Sequence, residues 1–263
     1  MTDAALEAES GPARDASLDA GAGGDTRGDA PLVSDAGAWC ASQVHHLFCD
    51  DFDENPLLQF WAGADTQHGT VTLDSASYAS PFHSFLATST ALGKSAVASV
   101  RLGKAIVEAA TELHISFALR PSSLDPSGVP VVALQIQLLD VLSQVHEVIE
   151  LSLSSSGASL DDFAPAADGG PDFDVAHPLS RAPGVGQWTT VKIDLLVPAE
   201  GGVGNGTVTL YVGDLATPLL DHVPMAPTSA PSFPYLFMGV AYAAGPAAPF
   251  ALAFDNVTVD IQQ

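Results

Sequence analysis

Apolar and polar residues alternate along much of the chain after residue 48, which is the period expected of half-buried β-strands. In ELHISFALR, residues 112–120, the large apolar side chains occupy odd positions and the polar ones even positions. The same period recurs in residues 131–140, 147–155, 188–197 and 206–214. Segments rich in Gly and Pro separate these runs, and no helical stripe is sustained. The pattern predicts an all-β chain of roughly a dozen short strands, folded as an antiparallel two-sheet sandwich.

The last run, FALAFDNVTVDI at residues 250–261, changes parity part-way along. Phe254 belongs to an even-numbered apolar set, whereas Val257 begins an odd-numbered one. Because a one-residue slip turns every following side chain to the other face of a sheet, we expect a bulge or bend near Asp255 and Asn256.

Composition excludes several classes of partner. The 263 residues carry 31 acids against 8 Lys and Arg, a formal charge of −23, so no basic face is expected that could neutralise phosphates. Nucleic acid and anionic membranes are therefore poor partners. The sequence also contains no apolar run of the ~18 to 20 residues that a transmembrane helix requires.

The first part of the chain differs from the rest. Residues 1–38 are rich in Ala, Gly and Asp and have few large aliphatic side chains, so they cannot bury enough apolar surface to offset the entropy of ordering. We expect a disordered acidic tether there and one folded domain over residues 39–263. Such tethers are typical of surface proteins, which predicts an extracellular or cell-surface location although the given chain begins without an export signal.

Cys40 and Cys49 are the only two cysteines and lie close in sequence. In an exported protein they would close a short loop and stabilise the fold by roughly 2 to 3 kcal/mol. Two buried thiols in a cytosolic protein are the alternative. The tether favours the disulfide. Zinc is not favoured, because His45 and His46 between the two thiols do not have the paired spacing of a structural site.

The order of motifs resembles the concanavalin A-like lectin and glucanase jelly rolls, a group that includes laminin G-like domains, sugar-binding modules and family 16 glycoside hydrolases. The resemblance rests on the opening FCDDFD, on Trp61, on GQWTTVKIDL leading through GNG to GTVTLYVGD, and on the closing FDNVTVDI. It extends from about Phe48 to Ile261. The resemblance implies a jelly-roll sandwich in which the first and last strands are neighbours, with a concave sheet face that binds or cuts sugars.

The resemblance also implies a structural calcium ion. Its ligands would be the carboxylate of Asp255 with backbone carbonyls and one early aspartate, for which Asp51 is the candidate, since calcium takes six to eight oxygen ligands. The alternative is that Asp255 and Asn256 only satisfy backbone groups at the bulge.

The hydrolase signature of that family is not complete here. Two carboxylates must face each other across the sugar bond. In HEVIELSLS, Glu147 matches the first acid, but Ile149 stands where the Asp should be and Leu151 or Ser152 where the second Glu should be. Glu150 cannot substitute, because it has the wrong parity. We expect both glutamates to be solvated side chains on an outward row.

Four polar residues of the strands are candidate ligand-binding groups on the concave face: His114, Gln135, Gln137 and His146. With the paired acids lost, the sequence favours a non-catalytic extracellular module that binds glycan or another extracellular ligand. Two alternatives stay open. One is a hydrolase or lyase acting on polysaccharide, where a lyase needs a Tyr or His base beside a cation; the other is a purely structural domain.

Overall fold

The computed structural model describes residues 39–44, 46–53, 57–140, 142–164, 173–197, 205–227 and 232–262. The predicted tether of residues 1–38 lies outside these described residues. A short helix, α1, occupies Trp39–Ser42, and the remaining elements are strands. Among the described residues there is no helix with the length and apolar character needed to cross a membrane.

The strands form two antiparallel sheets, as the sequence predicts. Sheet A has eight strands: β1 Phe48–Asp50, β3 Gly69–Asp74, β4 Ser84–Ser89, β6 Glu112–Ser123, β11 Thr189–Leu196, β12 Asn205–Val212, β13 Leu220–Pro227 and β15 Ala251–Gln262. Sheet B has seven: β2 Gly63–Gln67, β5 Val97–Ala105, β7 Val131–Leu139, β8 Val145–Ser154, β9 Gly157–Ala164, β10 Phe173–Pro178 and β14 Phe233–Ala244.

The chain crosses repeatedly between the two sheets, as it does from β4 to β5, from β5 to β6 and from β6 to β7. Sheet A runs β13-β12-β11-β6-β15-β4-β3, with β1 paired to β15, and sheet B runs β10-β9-β8-β7-β14-β5-β2. The inward rows of both sheets form one apolar core. Phe52, Phe85 and Phe254 are in ring contact there, with Phe117 against Phe254 and Trp61 stacked on Phe52.

The two ends of the folded region meet at sheet A. Phe48 pairs with Val259, so the first and last strands are neighbours. Cys40 and Cys49 are joined by a disulfide, which confirms that prediction. The parity change in β15 is also confirmed, because its register with β6 shifts between Asp255 and Thr258 and Asn256 has φ of 53°.

Candidate functional site

The outer face of sheet B, which points away from the core, carries an unusual set of side chains near its centre. Strands β5, β7, β8 and β14 each alternate buried apolar residues with partly exposed ones that face outward. The outward residues there are Arg101, Gln135, Gln137, Glu150, Tyr235 and Phe237. Neighbouring strands bring Gly103, Phe237, Gln135 and Glu150 into one cross-strand row. We call this set the polar-aromatic patch.

Arg101 is the cation of the patch. Its guanidinium lies 3.8 Å from the ring centroid of Phe237, a cation–π distance. Its Nη1 donates to Gln135 Oε1 at 3.3 Å and to the carbonyl oxygen of Ala241 at 3.3 Å, while Nε lies 4.0 Å from Asp65 Oδ2. Burial lowers the pKa of Arg101, and nearby Asp65 and other groups oppose that shift. Since a guanidinium has five donors, the side chain keeps donors for a ligand carboxylate.

Gln135 fixes the orientation of this arginine. Its Oε1 accepts from Arg101 and from Gln137 Nε2 at 3.0 Å, so its Nε2 is left to donate to Glu150 Oε1 at 2.6 Å. Burial raises the pKa of Glu150, an effect that the Gln135 hydrogen bond opposes. The side-chain amide of Gln135 therefore connects Arg101 to Glu150, with its oxygen towards the guanidinium and its nitrogen towards the carboxylate.

Tyr235 brings a hydroxyl group to the same place. Its ring packs on Phe237 with centroids 4.7 Å apart. Its Oη lies over Gly103, where a Cβ atom would be 2.8 Å away. A shallow depression of about 210 Å³ opens beside this hydroxyl group. It is lined by residues 62–64, Asp65, Arg101, Gly103, Tyr235 and Phe237. A phenol, a guanidinium and an aromatic ring thus face one open space.

Of the four predicted ligand-binding residues, two lie in the patch. Gln135 and Gln137 are both there. His146 is at the end of the same sheet, at a register shift between β7 and β8, where its Nε2 is 3.2 Å from Ser232 Oγ. Burial lowers the pKa of His146, with Asp140 opposing the shift.

The expected place of His114 must be corrected. It lies on β6, in the other sheet, and therefore does not share a face with the glutamines. There its Nδ1 is 2.7 Å from Asp194 Oδ1 and its Nε2 is 3.4 Å from Glu112 Oε2. The period-two pattern gives the face of a strand but not the sheet to which the strand belongs, which depends on pairing.

The two candidate metal ligands are occupied by backbone donors. Asp255 is fully buried, and its carboxylate accepts from the N–H groups of Ala79, Ser80 and Asn256 at 2.7 to 2.9 Å. Burial raises the pKa of Asp255 to about 7, against the effect of these hydrogen bonds. Asp51 Oδ2 accepts from Cys40 N at 2.8 Å.

These donors do not favour a cation. N–H groups direct positive charge at the carboxylates, whereas calcium needs further oxygen ligands. Within the described ranges no three His, Cys, Asp or Glu side chains are grouped to hold a metal. Calcium at Asp255 and Asp51 stays a prediction, with the bulge-satisfying role of Asp255 as the better fit to its hydrogen bonds.

Glu147 was expected on a solvated row, and that expectation is wrong. It has no solvent exposure and shares the inward parity of Ile149 and Leu151. Burial, and then the neighbouring Asp162, raise the pKa of Glu147 to about 10. The signal was in the sequence, because Glu147 has the same odd parity as the apolar residues that follow it. Glu150, by contrast, faces outward into the patch.

Sequence reasoning missed the two residues most important to the patch. Arg101 is one of eight Lys and Arg residues spread along the sequence, and no motif in the sequence singles out Tyr235. Both alternate with apolar neighbours, in VRL and PYL, which is the signal that places them on an outward row. Only pairing of β5 with β14 brings the two rows together.

Comparison with known proteins supports the fold. No protein-family model matches the chain, and no curated protein matches its sequence. Among solved structures, the endo-β-1,4-glucuronan lyase of the fungus Trichoderma reesei is similar with a TM-score of 0.63 and 14% identity, over 83% of this chain and 96% of that one. The cellulose-induced protein Cip1 gives 0.56 and 14%, over 81% and 96%. An alginate lyase from Klebsiella pneumoniae gives 0.50 and 11%, over 75% and 86%. At these identities the likeness confirms the jelly-roll sandwich.

Proposed function

We propose that the chain is a polysaccharide lyase that binds a uronate-containing glycan on the polar-aromatic patch and cleaves it by β-elimination. The observation that carries the proposal is the grouping of Arg101 and Tyr235 around one open depression, with Gln135 hydrogen-bonded to Arg101 beside it. The similar structures named as glucuronan and alginate lyases support it, since both names refer to uronate polymers. This revises the preference for a non-catalytic module that the sequence alone suggests.

β-Elimination requires a cation and hydrogen-bond donors at the uronate carboxylate. The C–H bond next to a uronate carboxylate becomes acidic when a cation and hydrogen-bond donors stabilise the negative charge that develops on that carboxylate. Arg101 supplies the charge, and Gln135 keeps the guanidinium oriented. Because Gln135 and Ala241 occupy Nη1, the ligand carboxylate would take the remaining donors.

Tyr235 is the group that we assign to proton transfer, because a positioned phenol can act as a general acid or base. Tyr235 Oη, in its deprotonated form, takes the C5 proton, and the electron pair of the C5–H bond forms the C4–C5 double bond. The C4–O bond breaks, and Tyr235 returns the proton to the glycosidic oxygen, which regenerates the starting form of the side chain. No oxidant or second substrate is required. The products are a sugar with a free hydroxyl and an unsaturated uronate.

The proposal is tested by turnover of polyglucuronate and alginate, followed by the ultraviolet absorbance of the unsaturated product. Y235F should lower kcat by about 10² to 10⁴, the usual worth of a general acid or base, while binding is kept. Y211F is the matched control, because Tyr211 lies on β12 of sheet A beside Lys192, a similar pairing of a phenol with a cation. Full activity of Y235F would refute the role of this residue.

A second candidate function is binding of glycan without cleavage. It is favoured by the neighbouring rings of Tyr235 and Phe237, which offer an apolar surface for a sugar ring without any chemistry. Binding of either polymer by the wild type, with no turnover under any condition, would support this candidate. Absence of both would leave the purely structural role.

We also infer that the protein acts outside the cell. The Cys40–Cys49 disulfide supports this, since structural disulfides persist in oxidising compartments. An extracellular place also suits a polymeric substrate. That the domain is similar to laminin G-like domains in particular, as the sequence motifs suggest, is proposed together with this location. Detection of the protein in culture medium after fractionation tests the location.

A further inference from the structure

Asp65 brings a carboxylate to the depression at Arg101. It lies on β2, an edge strand of sheet B, and pairs directly with Arg101 on β5. Both residues line the depression, and the side chain of Asp65 is 45% exposed, compared with 22% for Arg101. A ligand carboxylate held at Arg101 would therefore have this second carboxylate as a neighbour.

The two charged groups do not form a closed ion pair. Arg101 Nε lies 4.0 Å from Asp65 Oδ2, which is too long for a hydrogen bond, and Nε has no hydrogen-bond partner among the described residues. On sheet A, by contrast, Lys192 Nζ and Asp194 Oδ2 are only 2.8 Å apart. A cross-strand pair that only stabilised the sheet edge would gain more at the shorter distance. The open pair leaves Asp65 able to accept from another donor.

One oxygen atom of Asp65 is fixed by the backbone and the other is not. Oδ1 accepts a hydrogen bond from the N–H group of Gln67 at 3.2 Å, which orients the carboxylate. No described residue donates a hydrogen bond to Oδ2. Because an ionised carboxylate accepts hydrogen bonds and donates none, the ligand group that binds Oδ2 must be a donor.

A uronate ring supplies both kinds of group. Its carboxylate is an acceptor that suits the donors of Arg101, whereas its secondary hydroxyl groups are donors on other carbons of the same ring. A second carboxylate at Asp65 would be repelled by like charge. A hydroxyl group there would instead make a hydrogen bond to a charged acceptor, which is stronger than a neutral hydrogen bond. One ring can therefore satisfy Arg101 and Asp65 together.

We propose that Asp65 is a specificity-determining residue, whose Oδ2 accepts a hydrogen bond from a secondary hydroxyl group of the uronate held by Arg101. The site then takes uronate units with free hydroxyl groups and rejects units that are O-acetylated there. An ester oxygen has no proton to donate, so the acceptor would be left without a partner. The inference rests on the proposed function and adds to it a preference among uronate polymers.

The test compares polyglucuronate with the same polymer after chemical O-acetylation. We expect kcat/KM of the wild type to be about 10- to 100-fold lower on the acetylated polymer, the worth of one hydrogen bond to a charged group. D65A should bring this ratio to near unity. D65N keeps an oxygen acceptor without the charge, so its ratio should be intermediate. The ratio is the readout, because loss of a negative charge by itself also eases the approach of a polyanion.

D221A is the matched control for these variants. Asp221 lies on β13, an edge strand of sheet A, and its side chain is 69% exposed. Its Oδ1 is 2.6 Å from His222 Nδ1, so it is also an exposed carboxylate beside a basic side chain, but on the other sheet. D221A should keep the wild-type ratio.

The outcomes separate this inference from the proposed function. Cleavage of both polymers with equal kcat/KM, or a ratio that D65A leaves unchanged, overturns the inference and leaves the lyase intact. Equal gains on both polymers in D65A and D65N overturn it too, since Asp65 would then only weaken the charge of Arg101. If neither polymer is cleaved, calorimetry decides: tighter binding of the unmodified polymer that D65A abolishes supports the inference, and any other result overturns it.

Discussion

Tyr235 has its position because the residue beneath it has no side chain. A Cβ atom at Gly103 would meet Tyr235 Oη at 2.8 Å, and that hydroxyl is the far end of a flexible side chain. G103A should therefore displace the phenol while it leaves the core in place. We expect turnover of polyglucuronate to fall by about 10²-fold, as a displacement of ~1 Å can cause. The free energy of unfolding should change by less than about 1 kcal/mol.

The matched control for this substitution is G157A. Gly157 begins β9 in the same sheet, away from the depression, and its added Cβ would have no atom within 4 Å. It should keep wild-type turnover and stability. Equal effects of G157A and G103A on turnover would mean that an added methyl group on a strand, and not displacement of Tyr235, lowers the rate.

Single positions show where sequence reasoning succeeds. Gln135 and Gln137 alternate with buried neighbours, so their outward face could be predicted from parity alone. Glu147 follows the same rule, since its parity predicts the inward position that it has, whereas its charge predicts an outward one. Charged residues usually face solvent. The position of a residue in the alternating pattern can show that a particular charged residue faces inward, whereas amino-acid composition cannot.

At the level of single elements, β15 is organised by its bulge. Asn256 has φ of 53°, a conformation that costs a residue with a Cβ about 1 to 2 kcal/mol unless local hydrogen bonds compensate. Its Oδ1 accepts from Ser80 Oγ at 2.7 Å. N256A should lower the free energy of unfolding by about 1 to 2 kcal/mol in urea titrations, because the strain stays and the hydrogen bond is lost.

The companion variant N256G separates these two causes. It also loses the hydrogen bond but removes the steric cost, so its stability should lie between those of N256A and the wild type. If N256G were as unstable as N256A, the hydrogen bond to Ser80 would account for the whole effect.

Strands can be predicted from the sequence, but the pairing between strands cannot. The bulge and most strands follow from parity because both are local properties. The patch does not, since Arg101 and Tyr235 are more than a hundred residues apart and meet only through pairing of β5 with β14. The separation of His114 from Gln135 has the same origin, because β6 and β7 are neighbours in the chain but lie in different sheets.

For the whole molecule, the buried acids predict how stability depends on pH. Glu147 and Asp255 have folded-state pKa values of about 10 and about 7, above their ordinary values of 4.5 and 3.8. The folded state therefore holds more protons than the unfolded state between about pH 4 and the folded pKa of each group. The free energy of unfolding should decrease as pH rises from 5 to 8, and the net charge of −23 adds repulsion in the same direction.

E147Q isolates the contribution of one acid. The amide has the shape of the protonated carboxyl and does not ionise, so the variant should be more stable than the wild type at pH 7 by up to about 3 kcal/mol, with little difference at pH 4. Thermal and urea unfolding across pH 4 to 9 measure this. E108Q, in the loop between β5 and β6, is the control and should keep the wild-type slope. A parallel pH profile for E147Q and wild type would contradict the assignment.

The pairing of β1 with β15 has a mechanical consequence. Phe48 and Val259 lie at the end of the ladder where the chain enters β1 and leaves β15, so a force that pulls the two ends apart would open the pair one rung at a time. The bond between Cys40 and Cys49 would carry that load past the eight residues between them, directly to the second rung. The hydrogen bonds of His46 and Leu47 to Asp260 would then bear no tension. Reduction of the disulfide would lengthen the tethered chain under load and make these contacts the first to yield.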